Sequence, residues 1–494
     1  MTHAWARQAQ WRILETGFGL GQNFLASWRE WKDDAQRPGL LHFVSAQAFP
    51  AAAADIVRNV DGQDRLQPLA AQLASQWFDL TPGAHRLSFE GGRVLLTLHV
   101  REVTEVLRRE RFTADSVLLD GFDWDRSALK ALARHCRRGT RLAAPRGDGE
   151  LNRALQSCGF QVAAAETVFD PHWEPKGLRD DERMTPSDAT VVGAGLAGAA
   201  VAASLARRGW RVTVIDAADE PAAGASGLPV GLLAPQTSPD DNLLSRLSRE
   251  GVRMTLQQAR DLLREGQDWQ RTGVRRIGSD SEQWLEHAAW LKPAALVRAL
   301  LSQPGIEWRG RTRIESLEGI KSPLIVVCAA QGSQLLLGER VALHPVRGQV
   351  EWGLDRGLRL PASPINGNGH FIPSVPTQDG PAWFCGSTYT RDETDDSIRA
   401  EDTQSNLERL AALAPDVASQ VDASMLRSWA AVRCASTDRR PVVGEIKPGV
   451  WASTAMGSRG LTFCILAAET IAARLHDEPL PVDARLAKAI DAAR

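Results

Sequence analysis

The chain of 494 residues is poor in cysteine: it has six, and no two of them stand at the short spacing of a zinc or redox motif. This argues against a disulfide framework and a metal site, and it predicts reduced thiols in a cytoplasmic protein. The opening residues, MTHAWARQAQWRILE, lack the apolar core of a secretion signal. The most apolar stretch, 190–206, is rich in Gly and Ala and follows a strand pattern, so we expect no membrane span.

The chain also has little net charge, −2, so its overall electrostatics do not announce a nucleic-acid partner. A composition of 43% hydrophobic and 24% charged residues argues against wholesale disorder. No repeat of solenoid period is evident. The length is too great for one core and predicts two to four domains.

The division of the chain is marked by residues 166–187, where hydrophobic periodicity gives way to prolines and a dense charge cluster. Such a segment is typical of a linker between a domain at 1–165 and a larger one at 188–494. In the first domain, strand-like runs such as LLHFVSA alternate with helix-like runs such as SALKALARHC, which predicts an α/β fold with a parallel sheet. The second domain opens with a βαβ pattern and then mixes helices with short strands.

The second domain begins with a glycine turn, VVGAGLAGAAVAASLARRGWRVTVID (191–216). Gly193 permits the tight turn, Gly195 lets backbone N–H groups approach a pyrophosphate, and Gly198 lets the helix pack on the strand. Asp216 ends the next strand, where a carboxylate binds a ribose hydroxyl and disfavours the 2′-phosphate of NADP. The alternative is a plain packing turn.

FAD is distinguished from NAD by segments further along the chain. EPAAGASGLPVGLLAPQTS (220–238) follows the acid, and GVWASTAMGSRGLTFCILAAETIAARL (449–475) reads as a strand, a glycine turn and a helix. A second helix N-terminus late in the chain suits a flavin ring, although a surface turn before a packed helix is the alternative. We expect these residues of the two segments at the cofactor: Ala225, Ser226, Gly227, Gly231, Gly457, Ser458 and Gly460.

A second glycine turn lies near the N-terminus, ETGFGLGQNFLASW (15–28). Gly17, Gly19 and Gly21 would let backbone approach a cofactor where a side chain would clash. From these residues alone, a methyl donor, another nucleotide and a structural turn remain open.

The motifs GASGLPVGLLAPQTS, HPVRGQV, VRCASTDRRPVVGE and MGSRGL occur in that order after residue 188. They resemble the oxidoreductase half of the bifunctional tRNA 5-methylaminomethyl-2-thiouridine biosynthesis family, within the D-amino-acid oxidase/glycine oxidase superfamily of FAD enzymes. The resemblance implies a two-part FAD domain, with a dinucleotide-binding part and an interleaved α+β substrate part. Two departures are Met456, where the family usually has His, and Ala330-Gln331, where Asn-Gly is common.

The N-terminal half of the same family is a Rossmann-like S-adenosylmethionine (SAM) methyltransferase, and its first motif resembles residues 15–28. The resemblance implies that Glu15 meets the cationic part of SAM and that Asp120, in SVLLDGFDWD (116–125), orients the amine and accepts its proton. Helix capping is the alternative for Asp120. Gln47 replaces the usual acid at the ribose, and DWDRSAL replaces a proline-rich segment, so the fold can persist while methyl transfer weakens.

The implied substrate is a tRNA wobble uridine with a carboxymethylaminomethyl group, which is an N-substituted glycine. Oxidation at the carbon beside the carboxylate requires a carboxylate clamp, for which a guanidinium is suited. We predict Arg433 and Arg459 as this clamp and Arg347 as a third candidate; a structural ion pair is the alternative for each.

An acid-free stretch, 128–147, is a candidate surface for tRNA phosphates, against a solvated helix face. Its basic residues are Lys130, Arg134, Arg137, Arg138, Arg141 and Arg146. Trp77, Trp124 and Trp173 are candidates to stack on a base, although core or interface positions are more usual for isolated aromatics.

Three functions remain in competition. The first is a monomeric bifunctional enzyme that uses FAD and SAM on tRNA. The second is an FAD amine oxidase on RNA whose N-terminal half only binds tRNA. The third is a free amino-acid oxidase of the glycine oxidase type with an unrelated appendage.

Overall fold

The computed structural model describes residues 5–120, 124–144, 149–163, 166–175, 184–278 and 281–494. The chain forms two compact units. Unit 1 comprises Met1–Thr185 with Ala472–Ala487, and unit 2 comprises Pro186–Ile471 with Lys488–Arg494. The division at 185/186 falls inside the predicted linker, whereas the inclusion of 472–487 in unit 1 departs from the expected division.

Unit 1 alternates strands and helices as the sequence predicts. The elements along its N-terminal part are β1 (Gln10–Glu15), α1 (Gln22–Asp33), β2 (Leu40–Ala46), α2 (Ala53–Arg58), α3 (Gln67–Ala74), β3 (Gly83–Phe89), β4 (Val94–Val100), α4 (Val103–Arg109), β5 (Ala114–Leu118), α5 (Arg126–Ala133), β6 (Cys136–Ala143), α6 (Gly149–Ser157), β7 (Phe160–Val162) and β8 (Thr167–Phe169). The start of the predicted linker is therefore a strand, because β8 pairs with β6 and β7.

These strands form one sheet in the order β3-β4-β2-β1-β5-β6-β8-β7. The five strands from β4 to β6 are parallel, and β3, β7 and β8 add antiparallel edges. The strands β2, β3 and β4 lie on one side of β1, and the chain then crosses to β5 on the other side of β1. A topological switch point therefore lies between the carboxyl ends of β1 and β5, where open α/β sheets bind ligands.

Both faces of this sheet are covered. All seven residues of β2 are buried, as expected for an inner parallel strand. Ile13 and Leu14 of β1 face opposite sides because side chains alternate, and they lie in two separate hydrophobic clusters. Helix α1 buries Phe24, Leu25, Trp28 and Trp31, at the helical spacing of an amphipathic face.

The segment Ala472–Ala487 is bound to the rest of unit 1 by buried polar contacts. A carboxylate oxygen of Asp477 accepts a hydrogen bond from Thr113 Oγ1 at 2.8 Å, and its backbone oxygen accepts one from Arg12 at 2.9 Å. Arg86, which is fully buried, donates to the backbone oxygen of Pro479 at 2.6 Å. Val482 is also fully buried. The segment is thus an integral part of unit 1.

Unit 2 begins with the predicted βαβ pattern. The remaining elements of the chain are β9 (Asp188–Val192), α7 (Leu196–Arg207), β10 (Arg211–Ile215), β11 (Gly231–Leu233), α8 (Leu243–Leu262), β12 (Trp269–Gln270), β13 (Val274–Ile277), β14 (Glu282–Leu285), β15 (Ala289–Leu291), α9 (Pro293–Leu301), β16 (Ile306–Arg309), β17 (Leu324–Val327), α10 (Gly332–Leu337), β18 (Leu343–Leu354), β19 (Ile365–Gly367), β20 (Gly369–Thr377), β21 (Gly380–Gly386), β22 (Thr390–Arg391), α11 (Ala400–Leu413), α12 (Pro415–Ala418), β23 (Arg427–Ser436), β24 (Val442–Lys447), β25 (Val450–Thr454), α13 (Gly460–His476) and α14 (Ala484–Ala489).

Three sheets organise unit 2. A mostly parallel sheet has the order β16-β10-β9-β17-β25-β24, and a small antiparallel sheet has the order β11-β15-β12. The third sheet runs β14-β13-β19-β20-β21-β18-β22, with β23 paired to the long strand β18. The first sheet carries the glycine turns and the third carries Arg433, which agrees with the predicted division into a dinucleotide-binding part and a substrate part.

Candidate functional site

The glycine turn of unit 2 has the geometry that the sequence predicts. Gly193 adopts φ +108°, and a Cβ there would lie 2.5 Å from the backbone oxygen of Cys328. A Cβ on Gly198 would lie 1.8 Å from the backbone oxygen of Gly193, so this glycine allows helix α7 to pack on the turn. Gly195 is the N-cap of α7, and its missing side chain leaves the helix N-terminus open to a ligand.

Asp216 lies beside this turn at the end of β10. One carboxylate oxygen accepts a hydrogen bond from Ala194 N at 2.7 Å, and the other accepts one from Ala218 N at 2.9 Å. Each oxygen retains a lone pair, and the residue lines a cavity. The carboxylate is therefore held where a ribose hydroxyl can donate to it.

The cavity has a volume of about 1240 Å³, which is large enough for a dinucleotide cofactor and part of a substrate. Most predicted cofactor residues of unit 2 line it: Gly193, Gly195, Asp216, Ala225, Ser226, Gly231, Gly457, Ser458 and Gly460. Gly198 and Gly227 are packing glycines instead, and a Cβ on Gly227 would lie 2.7 Å from the backbone oxygen of Ala222. The glycine cradle and the volume fit FAD.

Arg433 lines the same cavity from β23. Its guanidinium donates to the backbone oxygens of Arg347 at 3.0 Å and Thr388 at 2.9 Å, and to Ser387 Oγ at 3.3 Å. Burial lowers its pKa, while Tyr389 acts in the opposite direction. Within the described parts of the chain these partners are neutral and no carboxylate pairs with Arg433. A partly buried cation held by neutral oxygens is suited to receive an anionic ligand.

The other two predicted arginines have different environments. Arg459 also lines the cavity, and it donates to Gln236 Oε1 at 2.5 Å. Burial and then repulsion from Arg439 lower its pKa. Arg347 is fully buried, pairs with Asp402 and does not line the cavity, so its charge is already neutralised. We therefore retain Arg433 and Arg459 as candidates for the carboxylate clamp and assign Arg347 to the structural ion pair.

The cavity also contains residues that the sequence analysis missed, among them His370 and Tyr389. Burial and then the charge of Arg433 lower the pKa of His370 to about 4, so its imidazole is neutral at neutral pH. Its Nε2 is buried and forms no hydrogen bond within the described chain. No local motif marks either residue, because the long-range pairing of β18, β20 and β21 brings them to the cavity.

The glycine turn of unit 1 lies at the switch point between β1 and β5. Gly21 adopts φ +75° as the N-cap of α1, and a Cβ there would lie 2.9 Å from the ring of Phe18. Gly19 N donates to Gln47 Oε1 at 3.1 Å, while Gln47 Nε2 donates to the backbone oxygen of Phe49 at 3.2 Å. Gln47, predicted to bind a ribose, thus supports the turn with its amide.

Two carboxylates meet at this edge of the sheet. Glu15, at the end of β1, accepts hydrogen bonds from Asn23 at 2.8 Å and from Ser45 Oγ at 2.9 Å. Burial, with a smaller contribution from the charge of Asp120, raises the pKa of Glu15 to about 7. Asp120 Oδ2 lies only 2.2 Å from the position that a Cβ on Gly17 would take. The turn therefore needs glycine at 17, and two carboxylates, those of Glu15 and Asp120, lie close together at this edge of the sheet.

Three of the six basic residues predicted to bind RNA form ion pairs within unit 1. Arg137 pairs with Asp115, Arg138 with Asp170 at 2.9 Å, and Arg141 with Glu166 at 3.1 Å. Because these arginines have acidic partners, we favour the alternative, a solvated surface whose charges are compensated. Arg146 lies outside the described residues.

The three tryptophans proposed for base stacking are also used within unit 1. Trp77 is buried against Phe18, with ring centroids 5.2 Å apart. Trp124 is buried and donates to the backbone oxygen of Asp120 at 3.1 Å. The ring of Trp173 is 41% exposed, and part of it packs on Gly159. Core packing therefore accounts for Trp77 and Trp124.

The described ranges contain no group of three or more His, Cys, Asp or Glu side chains placed to hold a metal ion. No helix in these ranges is both long enough and apolar enough to cross a bilayer.

Comparisons with known proteins assign a family to each part of the chain. A family model described as FAD dependent oxidoreductase matches residues 188–293 and 283–474, and one described as S-adenosyl-L-methionine-dependent methyltransferase matches 64–169. Glycine oxidases from Bacillus cereus and Geobacillus kaustophilus share the fold of unit 2. Their TM-scores are both 0.51 at 19% and 16% identity, and the matches cover 58% and 61% of this chain and 94% and 98% of theirs. The chain thus joins a methyltransferase to an FAD-type oxidoreductase.

Full-length relatives define the family more closely. The chain is 43% identical to the tRNA 5-methylaminomethyl-2-thiouridine biosynthesis bifunctional protein MnmC of Acidovorax sp. (strain JS42), over 100% of this chain and 92% of the relative. It is 44% identical to the protein of the same description from Polaromonas sp. (strain JS666), over 99% and 91%. The chain belongs to this family of bifunctional proteins.

Proposed function

We propose that the chain modifies the wobble uridine of tRNA in two steps, first removing a carboxymethyl group with FAD and then methylating the freed amine with SAM. The observation that carries this proposal is Arg433, a partly buried guanidinium whose hydrogen-bond partners among the described residues are all neutral, in a cavity that fits a dinucleotide. Such a group favours a substrate with a carboxylate. The membership of the family supplies the tRNA substrate.

In the first step the substrate is a secondary amine whose adjacent carbon bears the carboxylate. When bound, FAD supplies the acceptor for the two electrons and the hydrogen of that carbon. Water then adds to the resulting C=N bond, which breaks to give glyoxylate and a primary amine. Arg433 holds the carboxylate, and the neutral His370 adds no positive charge that would repel an amine. Gly193, Gly195 and Asp216 would hold the cofactor's pyrophosphate and ribose.

In the second step the primary amine receives a methyl group. When bound, SAM supplies this group. Asp120 lies at the carboxyl end of β5, directly over Gly17, where its carboxylate can orient the amine and accept a proton. Glu15 would face the cationic part of SAM.

The runner-up is an RNA-directed amine oxidase whose unit 1 binds tRNA without methylating it. Gln47 favours it, because an amide that already bonds Gly19 and Phe49 replaces the acid expected at the ribose. SAM binding and methyl transfer distinguish the two functions.

The test is nucleoside mass spectrometry of tRNA carrying the carboxymethylaminomethyl group. Without SAM, the purified holoprotein should accumulate the aminomethyl nucleoside and release glyoxylate. SAM should then give the methylaminomethyl form, and Asp120→Asn should slow only this second step. Full oxidation with no methylation at saturating SAM would establish the runner-up, and failure to oxidise the tRNA would refute both.

A further inference from the structure

Tyr389 is the one tyrosine in the sequence, and it lines the cavity of unit 2 in the connection between β21 and β22. Its side chain is 47% exposed, which is unusual for an aromatic residue of this chain, where most large aromatic side chains of the described residues are buried. Trp429, another aromatic that lines this cavity, instead stands close to Gly227. Burial in the hydrophobic core therefore does not account for the position of the Tyr389 ring.

One face of the Tyr389 ring is covered by a cation. The guanidinium carbon of Arg433 lies over the ring, 5.4 Å from its centroid, in the arrangement of a cation–π contact. Tyr389 also acts electrostatically on Arg459, so the ring stands near both candidate clamp residues. Among the described residues no second ring or cation lies against Tyr389, and its 47% exposure leaves room for a flat ligand on the other face.

We propose that the free face of Tyr389 stacks on the wobble uracil and thereby selects RNA over free amino acids. This inference rests on the proposed function. Every base offers a π-face, and stacking on an aromatic side chain is the usual way in which an unpaired base is held. The arm from the base to the carboxyl carbon spans about 5 Å, and a hydrogen bond adds about 3 Å, which is comparable with the distance from a base stacked at the edge of this ring to the guanidinium of Arg433.

The test compares Tyr389→Leu, which removes the π-face, with Tyr389→Phe, which keeps it. Trp284→Leu is the control, because Trp284 is 54% exposed in the same unit but does not line the cavity. Glyoxylate release from carboxymethylaminomethyl tRNA gives KM and kcat. Binding of (methylthio)acetate, a carboxylate without a base, is read from the flavin absorption spectrum.

We expect Tyr389→Leu to raise KM for the tRNA by about 10- to 100-fold, the usual effect of losing one stacked base. Tyr389→Phe and Trp284→Leu should stay within about twofold of the wild type. All three should keep their flavin and the wild-type Kd for (methylthio)acetate. An unchanged KM in Tyr389→Leu would overturn the inference, and so would an equal loss of (methylthio)acetate binding, which would show that Tyr389 acts by positioning Arg433. If the wild type itself releases no glyoxylate from tRNA, the proposed function fails, which is a distinct result.

Discussion

Arg433 and Arg347 are two arginines on adjacent strands with opposite surroundings: Arg433 is partly buried and Arg347 is fully buried. Arg433 has neutral partners and faces the cavity, whereas Arg347 pairs with Asp402. We expect Arg433→Lys to raise KM for the carboxymethylaminomethyl substrate by about 100-fold, because lysine lacks the planar fork that grips a carboxylate. Flavin content should not change.

The matched Arg347→Lys should lower the melting temperature while leaving KM in the remaining folded enzyme near the wild-type value. Steady-state kinetics on tRNA with a thermal melt distinguish the two; equal KM values for wild type and Arg433→Lys would make Arg433 structural.

We expect Glu15 to make SAM binding dependent on pH. The pKa of Glu15 is about 7 in unit 1, whereas its ordinary value in an unfolded chain is 4.5. As the pH rises from 4.5 to 7, the carboxyl group therefore loses its proton in the unfolded chain before it does so in the folded one. This lowers the stability of the unliganded unit over that pH range. A cationic ligand prefers the ionised carboxylate. Affinity for SAM should therefore rise about 20-fold from pH 5.5 to 7.5. Isothermal titration calorimetry measures this, with Glu15→Gln expected to bind weakly at all pH values. A flat profile for the wild type would exclude Glu15 from the cation site.

At the scale of the element, substitutions at two glycines of one turn should have different effects on the protein. A Cβ at Gly195 would approach only Ser226 Oγ, at 2.9 Å, whereas at Gly198 it would meet a backbone oxygen at 1.8 Å. Gly195→Val should thus yield a folded but colourless protein, because its side chain blocks the pyrophosphate. Gly198→Ala should separate α7 from the turn and lower the melting temperature of unit 2 itself. Flavin absorbance and circular dichroism together separate these outcomes; a yellow Gly195→Val protein would contradict the first.

The same turn shows what sequence can predict about this fold. Glycine spacing after an apolar strand is a local signal, so β9, α7 and Asp216 were predictable, as was the parallel sheet of unit 1. Tyr389 and His370 were not, because they reach the cavity through pairings between distant strands. The structural role of Arg347 was also hidden, since its partner Asp402 lies on α11, far along the chain.

At the scale of the whole molecule, a segment near the C-terminus, Ala472–Ala487, belongs to the N-terminal unit. Asp477 is hydrogen-bonded to Thr113, and Arg12 is 3.5 Å from its carboxylate. Asp477→Asn removes one charge at this contact while Arg12 keeps its ion pair with Asp115, and we expect it to destabilise unit 1 by about 1–3 kcal/mol. Calorimetry with and without SAM should show a lower unit 1 transition, while flavin release remains at the wild-type temperature. Asp64→Asn, at an exposed position, is the control. An unchanged transition would show that the segment is dispensable.

The membership of Ala472–Ala487 in unit 1 also bears on how the protein is made. A ribosome completes the N-terminal part of unit 1 early, yet the segment that finishes it emerges only after the FAD-type unit has been translated. At ~5–20 residues per second this delay is on the order of tens of seconds. Domains at an N-terminus usually fold first during synthesis. Unit 1 of this chain, in contrast, is complete only after residues 472–487 have been translated. We therefore expect a premature stop between residues 186 and 472 to leave unit 1 without its last segment, and so to yield no complete methyltransferase unit.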